Sequence, residues 1–230
     1  MIIRVAESSG FCFGVDNAMK KAEAMLRLRE DLSDPRPHYM LGAIIHNERV
    51  VSDLVARGLD KADTPADIPD GARVLIRAHG VAPAIRKALE AKGADVVDCT
   101  CPYVTRIHRL VRDACGQGER VYLAGVLGHP EVEGILGECF RDAMLVESAA
   151  SLDGMELPDV PSILVSQTTF SKQEFDEIRS RLSKQIANLK IFDTICSTTA
   201  NRQKEALELA STSDLMLVVG SRSSANARKL

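Results

Sequence analysis

The sequence contains no tryptophan, and aromatic residues make up only 4% of its 230 residues. This scarcity argues against proteins that stack nucleic-acid bases on aromatic side chains. The formal net charge of −3 lacks the basic surplus that phosphate-backbone binding requires. No apolar run approaches the roughly 18 residues of a membrane span, and the first residues do not have the layout of a signal peptide. We therefore expect a cytoplasmic protein that binds neither nucleic acid nor a membrane.

Motifs of several enzyme classes are also missing. The chain has no Walker loop, no Gly-x-Gly dinucleotide fingerprint, no HExxH motif and no Gly-x-Ser-x-Gly elbow. Their absence argues against ATPases, nicotinamide-dependent enzymes, zinc proteases and serine hydrolases. The six cysteines include no C-x₂-C zinc pair, and in a reducing compartment we do not expect them to form a disulfide framework.

Short β-branched runs alternate with amphipathic stretches of helical length along the chain. Helices are predicted over 15–26 and 175–189, the latter opened by Ser171 with Glu174 in capping-box register, and Gly58 and Gly93 fall where helices should stop. Strands are predicted at 4–8, 38–45, 73–78, 94–98, 120–126, 162–167, 190–195 and 215–220. This alternation predicts an α/β protein with mostly parallel sheets.

Nearly every predicted strand ends in a polar or reactive cluster. The clusters are SSGFCFG, IIHN, RAHGV, DCTCP, LGHPEVEG, SQTTFS, DTICSTTANRQ and GSRSSAN. Ligands bind at the carboxyl ends of parallel strands, where helix N-termini converge, so the clusters predict one shared site.

Three of these clusters carry a cysteine at nearly equal intervals. The interval is 89 residues from Cys12 to Cys101 and 95 from Cys101 to Cys196, which predicts three similar modules, the third incomplete. Three separated cysteines suit an iron-sulfur cluster better than zinc, although buried unreactive thiols are the commoner arrangement. From the residues alone, the ligand in DCTCP is either Cys99 or Cys101. The two other cysteines, at 115 and 139, fall in helical patterns and are expected in the core.

Three histidines at strand ends, His46, His79 and His129, could bind a phosphate or diphosphate, or could be ordinary loop histidines. Ser224 and Asn226 open a predicted helix, where they would either complete a phosphate cradle or simply cap the helix.

Glu131, on the Pro-bearing loop after His129, could donate a proton if it is buried; an exposed carboxylate is the alternative. The remaining histidines, His38 and His108, are expected to be structural.

The eight clusters, in this order and at these intervals, resemble the 4-hydroxy-3-methylbut-2-enyl diphosphate reductases, the last enzymes of the methylerythritol phosphate route to isoprenoids. The resemblance runs from about residue 6 to the end and includes the longer motifs GFCFGVDNA, GAIIHNERVV and DCTCPYVT. It implies a trefoil of three α/β domains around a central 4Fe-4S cluster. The corresponding division is a strand within 1–12 that joins the third or central region, domains at 13–100 and 101–194, and a partial third domain at 195–230.

The resemblance also implies residue roles. The cluster ligands would be Cys12, Cys101 and Cys196; within DCTCP the family ligand is the cysteine directly before proline, which is Cys101. Glu131 would deliver the proton that lets the substrate hydroxyl leave as water, and Thr168 would position that hydroxyl. A ferredoxin or flavodoxin would supply electrons. The diphosphate would be held by His46, His79, His129, Ser224 and Asn226.

The chain departs from the family pattern in two ways. Ala225 follows Ser224 where family members commonly carry consecutive serines. The family also continues for roughly another half domain, so we expect a C-terminal truncation. Two alternatives stay open: a non-catalytic homologue that binds a cluster or a diphosphate, and a structural zinc protein that uses Cys99 and Cys101 with a histidine.

Overall fold

The computed structural model describes residues 2–31, 34–45, 47–139, 142–221, 224 and 227. Within these residues helices and strands alternate, as the pattern predicts. The α-helices are Phe13–Glu30 (α1), Glu48–Ala56 (α2), Pro83–Ala91 (α3), Pro102–Gly116 (α4), Pro130–Leu136 (α5), Lys172–Gln185 (α6) and Ser197–Ser211 (α7). The strands are His38–Leu41 (β1), Asp60–Ala62 (β2), Arg73–Ile76 (β3), Asp95–Asp98 (β4), Arg120–Ala124 (β5), Ala143–Val146 (β6), Ser162–Ser166 (β7) and Leu189–Ile191 (β8). Two short 3-10 helices span Pro65–Asp67 and Ala149–Leu152.

Local sequence explains where several helices begin and end. The Ser171 hydroxyl accepts the Glu174 backbone N–H, so Ser171 caps α6 as predicted. Gly58 and Gly93 follow α2 and α3 with φ of +99° and +64°, a left-handed conformation that favours glycine and ends a helix. No helix in the described ranges is long and apolar enough to cross a membrane.

Two parallel four-stranded sheets have the same strand order, β2-β1-β3-β4 in the first and β6-β5-β7-β8 in the second. Helices cover both faces of each sheet, which is why the central strands are almost continuously apolar. In the first sheet α1 and α2 pack on one face and α3 on the other. In the second sheet α4 and α5 pack on one face and α6 on the other.

The same run of elements builds both sheets and explains the near-equal spacing of the cysteines. Cys12 precedes the run from α1 to β4, and Cys101 precedes the matching run from α4 to β8. Cys196 and α7 begin a third run in the same manner. In this repeat the turn after β3, which carries His79, corresponds to the turn after β7, which carries Thr168. Equivalent turns thus bring polar side chains to the carboxyl edges of both sheets.

Two predicted strands are not formed. Residues 4–8 and 215–220 contain no strand, so the strand expected within 1–12 is not found in the described part of that segment. Their apolar side chains are largely exposed, at 77% for Val5 and 95% for Val219. A strand is stable only when a neighbour satisfies its backbone, and an apolar run without such a neighbour does not form one. Conversely, β2 and β6, of three and four residues, were not predicted.

The cysteines at 115 and 139 lie in the core, as expected, but the expectation that the cysteines form no disulfide is wrong for this pair. Cys115, in α4, and Cys139, just after α5, form a disulfide with Cα atoms 5.7 Å apart. Cys139 also lies outside the helix predicted for it. The pairing follows from the packing of α4 on α5, which a separation of 24 residues along the chain does not reveal. The four remaining cysteines are free.

Candidate active site

Three cysteines occupy the same structural position, directly before the first turn of a helix. Cys12 is the N-cap of α1, Cys101 of α4 and Cys196 of α7. A helix N-terminus presents unpaired backbone N–H groups and the positive end of the helix dipole, both of which stabilise a thiolate. Each of the three runs of elements thus provides one cysteine in a position suited to metal binding.

The three thiols lie near one another. Burial raises the pKa of Cys101, backbone hydrogen bonds from Tyr103 and Val104 lower it, and the nearby thiols of Cys12 and Cys196 raise it. Gly14 lies beside the same sulfur: a Cβ added there would be 2.8 Å from Cys101 Sγ. In the described residues no three His, Cys, Asp or Glu side chains form a group that would hold a single metal ion. Ligands of a multi-iron cluster bind different irons and stand farther apart, so the convergence of the thiols fits a cluster.

The second cysteine of the DCTCP turn has a different environment. Cys99 is completely buried in the core between the first sheet and α1, and burial raises the pKa of its thiol to about 12. A thiol that holds its proton so strongly is a poor metal ligand. These features favour Cys101 over Cys99 as the ligand and lend no support to the zinc hypothesis.

Glu131 and Thr168 form a buried pair. Glu131 lies in the first turn of α5 with 1% of its surface exposed. The Thr168 backbone N–H donates to Glu131 Oε1 at 2.6 Å, and the Thr168 hydroxyl donates to Oε2 at 2.8 Å. Burial outweighs these hydrogen bonds and raises the pKa of Glu131 to about 7. A carboxyl group with this pKa holds a proton that it can donate near neutral pH.

Two of the three strand-end histidines meet at this site. The rings of His79 and His129 are 5.4 Å apart between centroids and stand at 83° to each other. His129 Nδ1 accepts the Glu131 backbone N–H at 3.1 Å, so the proton of a neutral His129 ring is on Nε2. That Nε2–H is then a donor to an acceptor such as a phosphate oxygen.

Backbone hydrogen bonds connect the cysteine turns to the turns that carry these side chains. The Cys101 N–H donates to the Ala78 carbonyl at 2.9 Å, next to His79. The Cys196 N–H donates to the Thr168 carbonyl at 2.8 Å. Thr168 therefore contacts Glu131 through its amide and hydroxyl and Cys196 through its carbonyl. A shift of either cysteine turn would move the residues proposed to contact the substrate.

The remaining predicted site residues are only partly described. His46 and Asn226 lie outside the described residues. Ser224 is half-buried, and its hydroxyl accepts the Ala227 backbone N–H at 3.3 Å, as a residue that caps a helix would do.

Arg77 was missed at the sequence level. It follows β3 two residues before His79, and its Nε is buried without a hydrogen-bond partner among the described residues. A Cβ added to Gly42 would lie 2.6 Å from Arg77 Nη1, so the guanidinium packs closely against the backbone that follows β1. Burial lowers the pKa of Arg77, and Glu133 partly offsets this effect. The sequence feature that could have identified Arg77 is its position at the end of a predicted strand, inside the RAHGV cluster.

A sequence profile described as LytB protein matches residues 3–230. The chain belongs to the LytB family. A LytB relative from Solidesulfovibrio magneticus, named 4-hydroxy-3-methylbut-2-enyl diphosphate reductase, is 39% identical over 227 residues, which are 98% of this chain and 79% of the relative. A relative of the same name from Clostridioides difficile is 36% identical over 231 residues and is matched over 81% of its length.

Solved structures agree with this LytB assignment. The E-1-hydroxy-2-methyl-but-2-enyl-4-diphosphate reductase from Plasmodium falciparum superposes with a TM-score of 0.88 at 31% identity, covering 96% of this chain and 69% of that one. A structure of (E)-4-hydroxy-3-methyl-but-2-enyl diphosphate reductase gives a TM-score of 0.78 at 34% identity, covering 99% and 79%. These similarities confirm the predicted family resemblance and the trefoil-like α/β fold class.

Proposed function

We propose that this LytB protein reduces 4-hydroxy-3-methylbut-2-enyl diphosphate to isopentenyl and dimethylallyl diphosphates. The observation that carries the proposal is the Glu131–Thr168 pair: a buried carboxyl with a pKa of about 7, joined through the Thr168 carbonyl to the turn of Cys196. This arrangement puts a proton donor beside a cysteine that suits a redox centre. The names of the sequence relatives supply the substrate.

A 4Fe-4S cluster would be held by Cys12, Cys101 and Cys196. Three observations support this. These cysteines are free, each lies at a helix N-terminus, and the thiols of Cys12 and Cys196 interact electrostatically with that of Cys101. When bound, such a cluster supplies electrons one at a time and, with three thiolates, leaves one iron without a protein ligand. The chain's own contribution is three converging helix ends, whose dipoles stabilise the negative charge of the thiolates.

The diphosphate group would lie at the carboxyl edges of the two sheets. His79 and His129 are adjacent there, and His46, Ser224 and Asn226 are proposed as further donors on the family resemblance. Arg77 adds a permanent positive charge beside the His79 turn. The Arg77 Nε is buried without a hydrogen-bond partner among the described residues, which is costly, and a phosphate oxygen is an anion that the planar guanidinium donors match.

Glu131 would deliver the proton that removes the substrate hydroxyl. One C–O bond breaks and the oxygen leaves as water, one C–H bond forms, and the reaction consumes two electrons and two protons. Hydroxide is a poor leaving group, so proton donation at the moment of C–O cleavage lowers the barrier. Thr168 would fix the Glu131 carboxyl and orient the substrate hydroxyl through its own hydroxyl.

The two electrons would come from outside the chain, which has no nicotinamide-binding fingerprint. A ferredoxin or flavodoxin is the proposed electron donor, in the cytoplasm.

We also propose a division into domains at 13–100, 101–194 and 195–230. Each domain begins at one of the three cysteine turns.

The experiment that tests the proposal compares Glu131→Gln with Glu119→Gln, each purified without oxygen and supplied with a small-molecule reductant. Glu119 is also buried, but it precedes β5 at the opposite edge of the sheet and pairs with Lys190. We expect Glu131→Gln to keep the visible spectrum of the cluster and lose turnover, whereas Glu119→Gln keeps both. Full turnover in Glu131→Gln would remove Glu131 as the proton donor.

A further inference from the structure

His108 lies in α4, seven residues after Cys101, and its ring is buried. Its Nδ1 is 2.8 Å from Oε1 of Glu138, whose side chain is also buried, in the turn that follows α5. The neighbouring disulfide between Cys115 and Cys139 ties the same turn to the same helix. The orientation of the His108 ring is therefore fixed from one edge by a rigid carboxylate.

The opposite edge of the ring faces the active site. His108 Nε2 is buried and has no hydrogen-bond partner in the described part of the chain. A Cβ added to Gly80 would lie 3.0 Å from Nε2, and one added to Gly134 would lie 3.4 Å from Cε1. Gly80 follows His79, and Gly134 is one turn beyond Glu131 in α5. The ring therefore fills the space between the His79 turn and the helix that carries Glu131.

His108 also acts on Glu131 electrostatically. Burial raises the pKa of Glu131, and His108 lowers it. Two titratable groups interact with the ring: Glu138, in the turn after α5, and Glu131, in α5. Replacing the imidazole with an uncharged ring is therefore expected to raise the pKa of Glu131.

From this packing we infer that His108, oriented by Glu138, is a positioning residue for proton delivery by Glu131. The inference rests on the function proposed above. His108 holds the Glu131 helix at a fixed separation from the His79 turn. Since misplacement of a reacting group by about 1 Å can cost roughly a hundredfold in rate, loss of the ring's anchor should act on kcat.

The test uses the anaerobically purified, cluster-loaded chain with four variants. His108→Phe keeps a ring of similar size but removes the bond to Glu138, Glu138→Ala removes the anchor, and Glu138→Gln keeps an oxygen acceptor for it. His38→Phe is the matched control, because His38 is another buried histidine bonded to a carboxylate, Asp34, but lies at the opposite end of β1. kcat and KM are measured with a small-molecule reductant, and cluster absorbance and urea midpoints are recorded for each variant.

We expect His108→Phe and Glu138→Ala to lower kcat by roughly 10- to 100-fold, with KM changed less than about threefold and cluster absorbance unchanged. Glu138→Gln should stay within about threefold of wild type, and His38→Phe should lose stability only. Wild-type kcat in both His108→Phe and Glu138→Ala would overturn the inference, as would an equal loss in Glu138→Gln and Glu138→Ala.

A second readout separates this inference from the proposed function. Infrared difference spectra against Glu131→Gln follow the titration of the Glu131 carboxyl without any turnover. The pKa of Glu131 should rise in His108→Phe and stay unchanged in His38→Phe. If the wild-type chain shows no turnover, the proposed function fails, yet this titration still decides the role of His108: an unshifted Glu131 would refute it. If His108→Phe does not fold, the kcat comparison of Glu138→Ala with Glu138→Gln decides the inference instead.

Discussion

Replacing Thr168 with valine tests the proton-donor assignment quantitatively. The change removes the hydroxyl that donates at 2.8 Å to Glu131 Oε2 and leaves the backbone amide on Oε1 in place. A hydrogen bond donated to a carboxylate favours its charged form and contributes about 1.5–3 kcal/mol. Because about 1.4 kcal/mol corresponds to one pKa unit, losing this bond should raise the Glu131 pKa by about one to two units. The starting value is about 7.

The assay is the pH dependence of kcat/KM with a small-molecule reductant. Glu131 donates only while it is protonated, so the alkaline limb of the profile follows its pKa. We expect this limb near pH 7 in the wild-type chain and about one to two units higher in Thr168→Val, even though kcat itself falls. Thr168→Ser keeps the hydroxyl and should keep the limb in place. A limb that is unchanged or lower in Thr168→Val would refute the assignment of the donated proton to Glu131.

Further predictions concern the ligands, stability and substrate binding. Cys101→Ser should lose most of the iron, whereas Cys99→Ser should keep it; equal iron contents would contradict the choice of ligand. The pKa of Glu131 is higher in the folded chain than its usual 4.5, so stability falls as pH rises from about 4.5 to about 7. Glu131→Gln should therefore gain up to roughly 3 kcal/mol at pH 8 and less at pH 5, and urea midpoints that match wild type at pH 8 would count against the burial argument. Arg77→Gln should raise KM by roughly 10- to 100-fold with little change in kcat, and an unchanged KM would separate Arg77 from the diphosphate.

The order of elements and the location of the site could be predicted because both follow from local rules. Apolar runs followed by polar clusters mark the carboxyl ends of buried parallel strands, and those ends meet by topology. This rule and the family resemblance together identified three site residues: His79, His129 and Thr168. In the structure the two histidine rings are adjacent, and Thr168 is hydrogen-bonded to Glu131. The degree of burial that gives Glu131 its raised pKa depends on tertiary packing, which local pattern does not give.

The predictions that were wrong or incomplete depend on contacts between distant segments. The contact between His108 and Glu138, for example, joins residues that are 30 positions apart in the chain, and no pattern within α4 predicts it. The disulfide of Cys115 and Cys139 depends on the same helix packing. The strand expected at 215–220 failed for a related reason: apolar character predicts burial, but a strand also requires a neighbouring backbone.

The most direct test of the central claim is a reaction of the anaerobically reconstituted chain with 4-hydroxy-3-methylbut-2-enyl diphosphate under reductant, with iron, sulfide and products measured on the same sample. The account predicts about four irons per chain and conversion of the substrate to isopentenyl and dimethylallyl diphosphates. A chain that holds its cluster but returns the substrate unchanged would contradict the reductase assignment and favour the non-catalytic alternative.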